Sequence, residues 1–110
     1  MVKQIEAVWF PVLIFSVVSF LAIASSAQDS GAATFKSKCV LCHGADGTGN
    51  TPLGKQLQAA NLRSKDVQKK TNAELHQIVH DGKTNMPPFA DQLSEAQINA
   101  VVKYVRTLAK

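Results

Sequence analysis

A chain of 110 residues is one small domain at most, and 45% apolar composition with a net charge of +4 makes it moderately basic. Six of its basic residues lie between positions 55 and 83, with no interleaved aromatics and no nucleic-acid motif, so nucleic acid is excluded as the leading partner. Moderate positive charge suits docking on an acidic protein or membrane surface instead.

Residues 1–6 form a short polar start carrying Lys3, and residues 7–24 are apolar apart from Pro11, Ser16 and Ser19. Ser25-Ser26-Ala27 supplies the small side chains that a signal peptidase reads, so residues 1–27 are expected to be a signal peptide cut after Ala27. The rival is an uncleaved membrane anchor, because 18 apolar residues at about 1.5 Å each just span a bilayer. Either way the domain is residues 28–110, exported to the periplasm or an equivalent extracytoplasmic compartment. It keeps 11 basic against 7 acidic residues once Lys3 and Glu6 are removed with the leader. A core of 83 residues is marginal and usually needs a staple.

Asp29 or Ser30 is the predicted N-cap of a first helix, with Ala32, Ala33, Phe35 and Val40 as its apolar contacts. Gly31 costs that helix stability, which points to close approach by another backbone. The helix runs into Cys39-Val40-Leu41-Cys42-His43, the attachment signature of a c-type haem. Two thiols three residues apart on a helical turn face the same way, spaced for the two vinyl groups of one porphyrin. His43 then falls under the iron as proximal ligand, its other ring nitrogen donating to a carbonyl. Pro52 is the candidate for that carbonyl. A dithiol redox site would need a strand before Cys39, and none is convincing. Structural zinc would need a fourth ligand, and the chain has no further cysteine. Export agrees with haem attachment, and a porphyrin would be the staple the small core lacks.

Residues 44–50 are turn-rich, and their three glycines fit loop packing beside the haem better than a phosphate cradle. Thr51 and Pro52 form the cap and first position of a short helix carrying Leu53 and Leu57. Residues 59–70 read as a connection, with a further short helix opening at Ser64. Thr71 and Glu74 make a capping box for a helix with Leu75, Ile78 and Val79 inward, stopped by Gly82. His76 and His80 stand one turn apart, a metal-ligand spacing, yet without a third ligand nearby in sequence they read as rim histidines.

Residues 83–91 form a loop stiffened by Pro87 and Pro88. Met86 is the one methionine outside the leader, and its restricted loop makes it the candidate second axial ligand of the iron. His80 is the rival. Ser94 and Gln97 form a second capping box, and Leu93 can staple onto Ile98. Ile98, Val101, Val102, Val105 and Leu108 recur with helical period, so the last helix buries one long face. No segment alternates as a strand does, and the predicted class is all-α.

Gly31-x-x-x-Phe35-x-x-x-Cys39, Cys42-His43-Gly44-Ala45-Asp46-Gly47, Gly82-Lys83-x-x-Met86-Pro87 and Val101-x-x-Tyr104 together resemble the class I c-type cytochromes. The resemblance implies three to five helices around one haem c, with Gly31 and Phe35 meeting Val101 and Tyr104 where the terminal helices cross. It implies a monomeric one-electron carrier, not an enzyme. Cys39 and Cys42 would hold the haem, and His43 and Met86 would be the iron ligands. Redox partners with acidic surfaces are implied too: a quinol-oxidising complex, a terminal oxidase or a photosystem. Lys55 and Lys83 are the expected docking lysines. A departure from mitochondrial members is the missing tryptophan, Trp9 being in the leader, which leaves Asn61, Arg63 or Lys65 to meet a haem propionate. The alternatives are a gas sensor with a displaceable Met86, an electron-entry module for an enzyme, or a peroxidase-like site. The last needs an open iron, against which the Met-Pro-Pro loop argues.

Overall fold

In the computed structural model, which describes Ser19 and residues 27–110, four hydroxyl side chains expected to open helices do so. Thr51 accepts from the Gly54 amide at 2.9 Å, Ser64 from Val67 at 3.3 Å, Thr71 from Glu74 at 3.1 Å and Ser94 from Gln97 at 3.2 Å. The reciprocal bonds of both capping boxes are also made, at 2.6 Å to Glu74 and 2.8 Å to Gln97. These bonds hold the Glu74 carboxyl below the usual carboxylate range. Removing one such cap, as in Ser94→Ala, is expected to cost about 1 kcal/mol in denaturant unfolding.

The elements are α1 (Ala27–Lys38), α2 (Val40–His43), α3 (Pro52–Leu57), α4 (Lys65–Gln68), α5 (Asn72–Asp81) and α6 (Glu95–Thr107). Six segments replace the expected three to five, because α2 and α4 are single turns of four residues. The break at Cys39 is slight: Cys39 still donates to Phe35 and His43 to Cys39, both at 2.9 Å. The cap expected at Asp29 or Ser30 is not where α1 begins. Its backbone is already helical at Ala27, so both residues lie inside the helix. Among the described residues there is no strand, only an isolated bridge between Lys83 and Met86. No described helix is long and apolar enough to cross a membrane, and the expected leader lies outside the described residues except for Ser19 and Ala27.

The centre of the fold is the packing of α1 on α6. Gly31 lies so close to Ala100 that a Cβ there would sit 2.8 Å from the Ala100 carbonyl carbon and closer still to its oxygen. The stability cost of a glycine in a helix is offset by this approach. One turn on, the rings of Phe35 and Tyr104 pack at 5.0 Å and 49°. Phe35, Val101 and Val105 form one buried cluster; Leu75, Phe89, Leu93, Ile98 and Val102 belong to a second, with Val67. Leu62 touches both, and α6 feeds both from adjacent positions on one face. Gly31→Ala is expected to force α1 off α6 at a cost of about 1–3 kcal/mol, read as a lower unfolding midpoint.

Candidate haem site

Between these clusters lies a cavity of about 380 Å³, within the range of about 300–1,000 Å³ usual for ligand pockets. Phe35, Cys39, Cys42 and His43 line one side of it. Val101, Val102 and Val105 of α6 line it too, as do Leu75, Ile78 and Val79 of α5 and the loop residue Met86. The cavity thus brings together all four residues singled out from the sequence.

His43 is buried, and its Nδ1 stands 2.9 Å from the carbonyl oxygen of Ala60. A carbonyl only accepts, so Nδ1 carries the proton and Nε2 keeps its lone pair. Pro52, the expected partner, is instead the first residue of α3. Ala60 reaches the ring because the chain folds back on the motif. Gly49 donates to the His43 carbonyl at 2.7 Å, Leu62 to Gly47 at 2.7 Å and Ala59 to Gly54 at 2.8 Å. The glycine loop is packing, as expected. At Gly49, with φ of 79°, a Cβ would come within 2.6 Å of the Ala59 oxygen. Asp46 ties the same loop by accepting from Thr48, which holds its carboxyl below the ordinary range.

Behind the motif, the Thr51 hydroxyl shares its proton between the carbonyls of Leu41 (2.8 Å) and Cys42 (3.1 Å). Cys39 and Cys42 are half-buried free thiols. Burial, and then the neighbouring Cys42, pushes the Cys39 thiol up to about 11. Dithiol exchange needs a thiolate, so this environment opposes it and suits an uncharged sulfur. Among the described residues no three His, Cys, Asp or Glu side chains form a ready metal cage.

Met86 is fixed through its backbone. Lys83 and Met86 exchange both amide–carbonyl bonds, at 3.1 and 2.9 Å. Between them Thr84 has φ of 53°, a left-handed conformation costly for a β-branched residue. Asn85 donates to the Leu57 carbonyl at 2.9 Å, joining the methionine loop to the end of α3. Phe89 and Ala90 donate back to Val79 and His80 of α5 at 3.0 and 3.2 Å. Ala60, Thr84 and Asn85 escaped sequence reasoning. A carbonyl is common to every residue type, and no local pattern marks which loop an asparagine will bridge.

Other expectations are redistributed. Neither His76 nor His80 lines the cavity, so the rival ligand His80 faces elsewhere. Asn61, Arg63 and Lys65, offered for a propionate, do not line it either. Asn61 accepts from the Arg63 amide at 3.0 Å, and one terminal nitrogen of the Arg63 guanidinium donates to the Lys110 backbone oxygen at 2.6 Å. The polar lining is Gln58, Thr84, Asn85, Lys38, Lys70 and Lys83. Lys83 therefore borders the site as expected and Lys55 does not, while Lys38 and Lys70 were missed.

An all-α fold whose terminal helices pack together beside a cavity bordered by Cys-x-x-Cys-His defines the class of small c-type cytochromes. The protein family described as cytochrome c oxidase, cbb3-type, subunit III matches residues 26–105, and the chain belongs to this family. It is 33% identical over 75 residues to cytochrome c6 of a Synechococcus species, covering 68% of this chain but only 64% of that relative. It is 35% identical over 80 residues to cytochrome c6 of Parathermosynechococcus lividus, covering 69% and 84%. Its fold is similar to the solved KustC0563 c-type cytochrome, with a TM-score of 0.67 and 29% identity over 73% of this chain and 98% of that one.

Proposed function

We propose that the chain carries one haem c, bound through thioethers to Cys39 and Cys42 with His43 and Met86 as axial ligands, and that it shuttles single electrons between exported or membrane-bound redox complexes. The observation that carries this reading is the His43 ring. Its Nδ1 is engaged by Ala60, and the residue borders the same cavity as both cysteines and Met86. When bound, the haem supplies the one-electron chemistry. The chain does the rest. Ala60 orients the His43 ring and fixes its tautomer. The apolar side chains of α5 and α6 give the group a low-dielectric wall. The Met-Pro-Pro loop presents Met86 with little conformational entropy left to lose. A ligand set that persists in both oxidation states involves little rearrangement during transfer.

The same residues test the gas-sensor alternative. A visible spectrum of the oxidised protein is expected to show the weak red charge-transfer band of iron–methionine bonding, and carbon monoxide is expected to leave the reduced spectrum unchanged. Loss of that band, or ready carbon monoxide binding, would favour a displaceable Met86.

The oxidase-subunit description of the matching family supports a second reading, an electron-entry module within a larger complex. Recovery of the chain with oxidase polypeptides after detergent extraction would favour that reading, and recovery as a free monomer the shuttle. In both readings the partners are acidic redox proteins of an extracytoplasmic compartment, a quinol-oxidising complex, terminal oxidase or photosystem among them. Lys38, Lys70 and Lys83 at the cavity are the docking charges. Transfer rates are expected to fall as salt shortens the Debye length from about 30 Å at 0.01 M to about 10 Å at 0.1 M. Rates flat across that range would remove electrostatic docking.

A further inference from the structure

His76 and His80 do not line the haem cavity, and each ring stands between oxygen partners. Their rings lie on one face of α5, stacked with centroids 6.2 Å apart and planes 19° from parallel. Each Nδ1 is already engaged by an oxygen, that of His76 by Asn99 Oδ1 at 2.7 Å and that of His80 by Asp81 Oδ1 at 2.6 Å. A carboxylate only accepts, so the His80 proton sits on Nδ1 and Nε2 is left as the ligand atom. Both Nε2 atoms turn to one carboxylate, His76 at 2.6 Å from Glu95 Oε2 and His80 at 3.5 Å from Glu95 Oε1. Glu95 opens α6, so the helix packing supplies the third ligand that the local sequence lacks.

We propose that His76, His80 and Glu95 bind one divalent cation of the zinc(II)–copper(II) class across the α5–α6 seam, outside the lining of the haem cavity. Imidazole nitrogen suits zinc, copper and nickel, whereas calcium and magnesium call for oxygen ligands. Metal-binding histidines characteristically donate their second N–H to a carboxylate or carbonyl, as both do here. The cage is not preformed: Glu95 lies directly against His76, and no three such side chains yet surround a point that fits a cation. Glu95 is 69% exposed and free to swing back, leaving two nitrogens one helical turn apart to chelate the ion while water fills the remaining positions. The proton shared by His76 Nε2 and Glu95 Oε2 is released to solvent as the cation enters.

The test uses reduced, tag-free haem-loaded protein titrated with zinc chloride, followed by calorimetry and by NMR of the imidazole protons. One saturable equivalent is expected, with shifts at the His76 and His80 rings and none at His43. His76→Gln and His80→Gln are each expected to abolish saturable binding. Asn99→Ala, which removes only the partner of His76 Nδ1, is expected to weaken it by about 10–100-fold. Metal-free melts of the variants check that the fold is kept. No saturable binding to the unaltered protein, shifts confined to other residues, or binding that survives the double His76→Gln, His80→Gln substitution would each overturn the proposal.

Discussion

Met86→His is expected to keep the iron six-coordinate while lowering the reduction potential by several steps of 59 mV. Imidazole also binds haem iron but is the stronger donor, so it favours the ferric state where thioether favours the ferrous. Each such step of about 59 mV shifts a one-electron equilibrium tenfold, about 1.4 kcal/mol. A carrier displaced by even two steps no longer passes its electron to the same acceptor. Met86→Ala is expected to do something different, opening the site so that carbon monoxide binds. Potentiometry of the two variants decides the matter. An unchanged potential in Met86→His would remove Met86 as ligand. His80, which does not line the cavity, would not inherit the role; Lys83, which does, would be tested next.

The second large effect is on folding. Replacing Cys39 and Cys42 by Ala is expected to leave a chain without a cooperative melt. A residual cavity costs about 24 cal/mol per Å³, so one of about 380 Å³ costs on the order of 9 kcal/mol. That figure is an upper bound because the cavity opens to solvent, yet it is comparable with the whole stability of a small domain, about 5–15 kcal/mol. A group that fills the space would therefore be structural as well as functional. Native helicity with a sharp thermal transition in the haem-free double variant would refute this.

Much of the architecture was written in local chemistry. Thr51, Ser64, Thr71 and Ser94 each compete for amides at the start of a helix, and that competition depends on residues no more than three positions away. Gly31 was legible because a glycine inside a helix demands a reason, and Ala100 supplies one. The Cys-x-x-Cys-His spacing carried the chemistry without help from the fold. What escaped was long-range. The Ala60 carbonyl lies 17 residues from His43 and has no signature of its own. Lys38 and Lys70 join Lys83 only when α1, α4 and the methionine loop close round the cavity. Lys55 lies on α3, close in sequence to the site but outside the cavity lining. His80 finds Glu95 because α5 packs on α6, an encounter no spacing rule encodes.

The two sides of the cavity are fastened unequally, and that asymmetry sets the order in which the molecule breathes. On the histidine side, backbone bonds from Gly49, Ala59 and Leu62 knit the segment that carries Ala60 onto the motif. On the methionine side, backbone bonds tie the loop to itself and to α5, but across to α3 it is latched by one exposed side-chain bond from Asn85 to Leu57, beside the left-handed Thr84. Exposed bonds and strained turns belong to the segments that open at the lowest free energy, well before the global transition. The cytochrome therefore behaves as a rigid jamb with a hinged door. Amide protons along α1 and α6 are expected to exchange after those of the methionine loop, and in a haem-loaded chain that door would swing while His43 keeps its place.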